Sequence, residues 1–282
     1  MKKGLVLEGG AMRGMFTAGV IDVLMENNIQ FDGAIGTSAG AGFGCNYKSR
    51  QIGRVIRYNK KYCRDKRYVS LRSLITTGDL YGADFVYREL PDNLDPFDVE
   101  TYAASPMEFY VTCTDVVTGK AVYHKCEKGD AEDILWMRAS ASMPLASRIV
   151  EIGDYKLSDG GMADSIPLKH LQELGYDRNV VVLTQPVDYV KEKNKALPIL
   201  KLVYRKYPKF INALAKRHER YNETTKYIRE LEEKGEIFVV RPPEKLNIGA
   251  VEHNPDELQR VYDIGRAEAE KQLEKIKEFL NI

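Results

Sequence analysis

Ser38 lies in Gly36-Thr37-Ser38-Ala39-Gly40, a G-x-S-x-G pattern. A second glycine loop, Glu8-Gly9-Gly10-Ala11-Met12-Arg13-Gly14, precedes it by one helix's length. A serine on a sharp, glycine-flanked bend can act as a nucleophile toward a carbonyl carbon, and backbone N–H groups of a nearby loop can hold the oxyanion that results. With the N–H of Ala39, those of Gly9, Gly10, Ala11, Arg13 and Gly14 are the candidate donors, and the Arg13 side chain adds positive charge. A serine also needs a base. The four histidines are poorly placed for that role: His124 falls in an expected hairpin and His218 inside a charged helix, while His170 and His253 lack a glycine loop beside them.

Asp159-Gly160-Gly161 is the better candidate, because a carboxylate at the tip of a buried strand, followed by two glycines, points out of the sheet edge unobstructed. Aspartate is a weak base at its usual pKa of about 3.9, and desolvation in an apolar pocket would raise it. Each motif also has a plainer reading. Ser38 could be a helix N-cap, and Asp159 part of an ordinary Asp-Gly turn. The first loop could be a dinucleotide fingerprint. That reading needs a glycine where Ala11 stands and an acid at the end of the second strand, whereas Asp32 precedes it.

The elements around these residues alternate strand and helix. Leu5-Val6-Leu7 reads as a buried strand, residues 13–27 as a helix with Phe16, Val20, Val23 and Leu24 on one face, and residues 31–36 as a second strand running into Ser38. A small-residue helix follows from Ala39, so both glycine loops fall at the carboxyl edge of one parallel sheet. Residues 69–98 are turn-rich with interleaved apolar side chains, in keeping with either an apolar lid or a packed loop. Residues 109–114 and 121–124 pattern as a hairpin, and 134–140 as a short helix. Residues 156–161 form a strand into a turn, and 179–184 a buried strand. Residues 191–234 are helical and charged, 236–241 a last strand, and 255–280 a terminal amphipathic helix. The reading is an α/β fold in one domain, 1–282, with the motifs in residues 4–185 and a helical part in 186–282.

In this order, the Glu8–Gly14 loop, Gly36–Gly40 and Asp159–Gly161, with Met143-Pro144 shortly before the aspartate, resemble the patatin-like phospholipases. The resemblance covers residues 4–185. It implies a three-layer α/β/α sandwich with a mostly parallel sheet and a Ser38–Asp159 dyad without a catalytic histidine. It also implies an oxyanion hole in the Gly9–Gly14 loop and hydrolysis of acyl esters, often of phospholipids, without metal or other cofactor. Glu8 stands where that family commonly has aspartate, and Ala11 where it usually has glycine; the backbone N–H survives both changes.

Bulk composition bounds the partners. The 282 residues carry a net charge of +1, which does not mark a nucleic-acid binder. Four scattered cysteines without a C-x-x-C pair imply neither a zinc site nor a disulfide framework and favour a reduced, cytoplasmic setting. The apolar run after Met1 is too short for a signal peptide, and no stretch reaches the ~20 apolar residues of a membrane span. Basic residues interleave with aromatic and aliphatic ones in 50–68 and 201–217. Either segment suits peripheral contact with an anionic bilayer or a plain solvated helix face. The reading is a hydrolase of lipid or small acyl esters, with an acyltransferase or a catalytically silent lipid- or nucleotide-binding module as rivals; oligomeric state is not legible.

Overall fold

Strands covered on both faces have no polar side to keep, which is why short, continuous apolar runs build this sheet. The computed structural model describes residues 1–282. In chain order it contains β1 (Lys2–Leu7), α1 (Gly14–Glu26), β2 (Gly33–Thr37), α2 (Ala39–Lys48), α3 (Arg54–Tyr62), α4 (Leu71–Thr77), α5 (Val99–Ala104), β3 (Glu108–Asp115), β4 (Ala121–Lys125) and α6 (Ala131–Ser140). Then follow β5 (Val150–Ile152), β6 (Tyr155–Asp159), α7 (Leu168–Glu173), β7 (Tyr176–Val182), α8 (Leu197–Val203), α9 (Pro208–Ala215), α10 (Arg217–Glu233), β8 (Ile237–Val240) and α11 (Pro255–Leu280). A π-helical stretch, Phe85–Leu94, lies between α4 and α5.

Strands β3, β2, β1, β7 and β8 are parallel neighbours in that order, with β4 and β6 antiparallel to β3, and β5 antiparallel to β6. Side chains alternate between two cores. Leu5, Leu7, Ala34, Val180 and Val182 point to the larger core beneath α1, α2 and α11. Val6, Ile35, Val181 and Val239 point to the smaller one beneath α7 and α10. The result is a three-layer α/β fold with a mixed, mostly parallel sheet.

The register of β3 decides where the motifs meet. On one edge β4 pairs with Tyr110–Thr114. The other edge is shared: β2 pairs as far as Thr37↔Thr112, and β6, running the opposite way, ends at Asp159↔Cys113. Two strands thus approach each other end-on along one edge and stop at adjacent positions.

One expectation needs correction. Helix α1 is buried all round over Gly14–Met25 rather than on one face, because α11 packs across its outer side. The helical part of the charged segment 191–234 consists of three helices, α8, α9 and α10, interrupted at 204–207 and at Lys216. Residues 150–152 form an edge strand that no motif marked. The stretch 69–98 carries α4 and the π-helical turn. No helix is long and apolar enough to cross a membrane.

Glycines set the closeness of α1 and α11: a methyl on Gly19 would overlap the Tyr262 carbonyl, and one on Gly265 the Phe16 carbonyl. A Gly→Ala change in an exposed helix gains about 1 kcal/mol. Here backbone overlap reverses the sign. Gly265→Ala should cost about 2 kcal/mol and lower Tm by roughly 4–8 °C in thermal denaturation; a rise in Tm would contradict this packing.

Candidate active site

Ser38 occupies the turn from β2 to α2 with φ +55° and ψ −121°, a left-handed conformation that serine rarely adopts. The flanking glycines allow the bend: a methyl on Gly36 would overlap the Gly40 carbonyl, and one on Gly40 the Leu7 carbonyl. The Ser38 side chain makes no helix-cap bond, which removes the N-cap alternative. Instead Oγ donates to Asp159 Oδ2 at 2.6 Å. The Ser38 N–H donates to Ser140 Oγ at 2.9 Å, and Ser140 Oγ donates to the Thr112 carbonyl at 2.6 Å.

Asp159 is buried and held from several sides. Its Oδ1 accepts the Gly161 N–H at 2.7 Å, its own N–H donates to the Ser142 carbonyl at 2.8 Å, and its carbonyl accepts Thr114 Oγ1 at 2.8 Å. The Asp-Gly turn and the contact with serine therefore coexist, one carboxylate oxygen serving each. Burial pushes the Asp159 pKa above the usual carboxylate value; the Ser38 hydrogen bond, the Arg217 charge and the Gly161 N–H work the other way.

The C-terminal part of the chain grips this turn. Arg217 Nε donates to the Gly161 carbonyl at 2.6 Å, and Arg220 Nη2 donates to the Met162 carbonyl at 2.6 Å. Glu8 is buried and bridges the same helix to the glycine loop, accepting from Tyr221 Oη at 2.6 Å and from the Thr184 N–H at 2.5 Å. Its extra methylene, relative to aspartate, suits that reach. None of Ser140, Arg217, Arg220 or Tyr221 carried a signal in sequence that separates it from an ordinary serine, surface arginine or core tyrosine. Arg217, the last residue of the basic segment 201–217, turns inward.

The structure divides the loop donors. The N–H of Gly9 goes to the Ser165 carbonyl at 3.3 Å, that of Arg13 to Gly10 at 3.1 Å, and that of Gly14 to Ala11 and Met12. Those of Gly10, Ala11 and Ala39 meet no protein acceptor. Ala11 sits at φ +48°, where glycine would be unstrained. The dinucleotide reading loses its ribose acid, since Asp32 Oδ2 accepts the Lys3 N–H at 2.6 Å.

The histidines are engaged elsewhere. His124 stacks on Trp136 at 4.1 Å and His170 on Tyr123 at 3.7 Å, His253 Nδ1 lies 2.6 Å from the Cys63 carbonyl, and His218 Nε2 lies 3.8 Å from Glu219. None shares a hydrogen bond with Ser38 or Asp159. His124, Cys126 and Asp133 lie close enough together to share a metal ion, within 4.8 Å. However, Asp133 Oδ2 accepts two backbone N–H groups at 2.7 Å, and burial pushes the Cys126 thiol well up. All four cysteines are free and buried.

Ser38 opens into a cleft of about 140 Å³ with mostly apolar walls, including Phe43, Tyr58, Val86, Leu90 and Met137. Val86 and Leu90 come from the π-helical turn, so the 69–98 stretch covers the serine. Of the basic segment 50–68, Arg54 and Arg57 pair with Asp95 and Arg67 with Asp65 and Glu89. In 201–217, Lys201, Arg205, Lys206 and Lys209 are exposed and unpaired.

The raised pKa of Asp159 has a sign for stability. A folded-state value above the unfolded one costs stability as pH rises, from the unfolded value of about 3.9 through the folded one, and the full cost stands above both. Asp159→Asn should therefore raise Tm at pH 7, with the gain shrinking toward pH 3. Equal Tm values at both pH values would contradict a strained carboxylate.

Comparison with known proteins follows this geometry. The patatin-like phospholipase family model matches residues 5–171, and a domain of unknown function (DUF6363) matches residues 207–281. An uncharacterized Escherichia coli protein, YjjU, is 28% identical over 93% of this chain and 74% of its own length. Lysophospholipase nte1 of Emericella nidulans is 30% identical over 62% of this chain, and this chain spans 11% of that protein's length. The solved structure of VipD from Legionella pneumophila matches at 12% identity and a TM-score of 0.48, over 97% of this chain and 67% of that one. With its patatin-like model spanning residues 5–171, the chain belongs to the patatin-like phospholipase family.

Proposed function

We propose that this protein is a serine acyl hydrolase that cleaves lipid carboxylic esters through a Ser38–Asp159 dyad. One observation carries the reading: the 2.6 Å hydrogen bond from Ser38 Oγ to Asp159 Oδ2 at the base of an apolar cleft. Family membership and the lysophospholipase relatives support a lipid substrate.

In this mechanism Asp159 Oδ2 takes the hydroxyl proton as Ser38 Oγ attacks the acyl carbonyl carbon. The unengaged N–H groups of Gly10, Ala11 and Ala39 receive the oxyanion. Collapse breaks the ester bond, and the leaving alcohol takes the proton from Asp159. Water then attacks the acyl-serine, giving its proton to Asp159; collapse releases the carboxylic acid and returns that proton to Ser38. Burial supplies the basicity that an exposed aspartate lacks. The motif-bearing core and the helical part 186–282 act as one unit in this reading, because Arg217 and Tyr221 hold the base and oxyanion loops. Contact with a lipid surface runs through 199–209, where exposed Ile199, Leu202 and Val203 adjoin the unpaired cations. Tyr204 Oη accepts the Leu145 N–H, tying that face to the wall of the cleft.

Ser38→Ala and Asp159→Asn should each lower kcat for a p-nitrophenyl acyl ester by at least about 10³-fold. Each histidine-to-alanine variant should retain activity, and a folded histidine variant without activity would overturn the dyad. A fluorophosphonate probe should label wild type and not Ser38→Ala. Because ionised Asp159 is the base, kcat/KM should fall as pH drops through its raised pKa. Arg217→Gln removes a charge that lowers that pKa, so its acid limb should move to higher pH. A limb that stays put would leave Arg217 a prop for the turn only. Leu202→Asp should weaken co-sedimentation with anionic vesicles, and binding indifferent to this change and to salt would exclude the 199–209 face.

A further inference from the structure

Beside the Asp159-Gly160-Gly161 turn, where Arg217 donates to the Gly161 carbonyl, lies a second, polar cleft of about 490 Å³, with Lys191, Arg217, His218 and Lys245 in its walls. None of the mechanism above uses it except through Arg217. Lys191 is fixed there by its backbone: its N–H donates to Asn222 Oδ1 at 2.8 Å, and its carbonyl accepts Asn222 Nδ2 at 3.0 Å. Its ammonium lies 4.2 Å from the centre of the Tyr221 ring.

The cations in this region have no ion-pair partners. Lys191, Arg217 and Lys245 form none, and neither does Arg13, whose charge reaches Lys191 and whose Nε is buried without an acceptor. His218 Nδ1 is likewise buried and unpartnered. The acids nearby offset the cluster only in part. The Glu8 carboxylate, hydrogen-bonded by Tyr221 Oη and the Thr184 N–H, offsets one positive charge, Glu219 faces His218 Nε2, and Glu192 lines the cleft from an exposed position. Burial first, then the Arg217 charge, push the Lys191 pKa down to about 8; Glu8 pulls the other way, and Arg13 adds a smaller push down. Gathering more cations than carboxylates is costly, and a multivalent anion is the ligand that reverses the cost.

We propose that this cleft seats a phosphoryl group, and that it favours a phosphomonoester over a zwitterionic headgroup. The choice follows from charge: Lys191, Arg217, Lys245 and Arg13 outnumber Glu8 and Glu192 in this region, and a quaternary ammonium would meet like charge there. The phosphoryl group comes either from the headgroup of a lipid whose ester lies at Ser38 or from free phosphate acting on the Asp159 turn through Arg217. The headgroup source rests on the ester-hydrolase reading; anion binding itself does not.

The test uses the full chain with inorganic phosphate and with Lys191→Gln and Lys245→Gln, Lys245 being exposed and safe for folding. Fluorophosphonate labelling of Ser38 and circular dichroism report that each variant is folded. Calorimetry should give saturable phosphate binding to wild type, weakened about tenfold or more in each variant. In assays, the kcat/KM ratio of a lysolipid with a phosphomonoester headgroup to one with phosphocholine should exceed unity in wild type and fall about tenfold in the variants. Phosphate that competes only with the anionic lipid identifies the headgroup source. Phosphate that alters hydrolysis of an uncharged ester equally identifies the free-anion source. No saturable phosphate binding by wild type, or binding unchanged in both variants, overturns the proposal. Intact phosphate binding without any ester hydrolysis overturns the hydrolase reading alone.

Discussion

Two strands that approach end-on along one edge of a third cannot both continue. Here β2 and β6 share an edge of β3 and stop at Thr112 and Cys113. The chain must leave the sheet at both ends, and the residues that begin the two exits are Ser38 and Asp159. Their 2.6 Å contact is thus fixed by sheet register, before any side-chain preference acts. The surrounding features serve that junction. Ser140 ties the Ser38 N–H to the Thr112 carbonyl, and Gly160 must lack a side chain because a methyl would overlap the same carbonyl. Holding Ser38 at positive φ costs energy, which the packed sheet edge supplies.

Burial gives the carboxylate its character. A surface aspartate beside a serine would ionise at ordinary acidity and attract its proton weakly. Enclosure raises the pKa, while one N–H, one hydroxyl and the more distant Arg217 keep the ionised form accessible. The balance resembles a tuned spring more than a simple salt bridge, since Arg217 hydrogen-bonds the Gly161 carbonyl rather than the carboxylate.

The helical C-terminal part is joined to this site rather than appended to it. Helix α10 reaches the Asp159 turn through Arg217 and Arg220 and the first glycine loop through Tyr221 and Glu8. Helix α11 closes the opposite layer over α1. The first glycine loop and the Asp159 turn therefore depend on residues more than fifty positions downstream of the last motif, and α10 supplies Arg217 and His218 to the wall of the polar cleft.

Local sequence determined most of the strands, the turns and the residues of the candidate site. Continuous apolar triplets, glycines on both sides of Ser38 and the Asp159-Gly160-Gly161 turn are short-range signals, because backbone sterics act over a few residues. Cap, turn and dyad all stayed open for Ser38 and Asp159 at that level. Tertiary structure alone brings the two side chains into contact, since their hydrogen bond spans 121 residues and follows from the register on β3. The same holds for which loop donors stay unengaged: whether Gly9 or Gly10 is open depends on where the Ser165 carbonyl falls. Burial of α1 on every side, the inward turn of Arg217 and the unpaired cations around Lys191 arise from packing by α10 and α11. A charged side chain reads the same in sequence whether it faces water or a neighbour, and only the elements laid over it settle which.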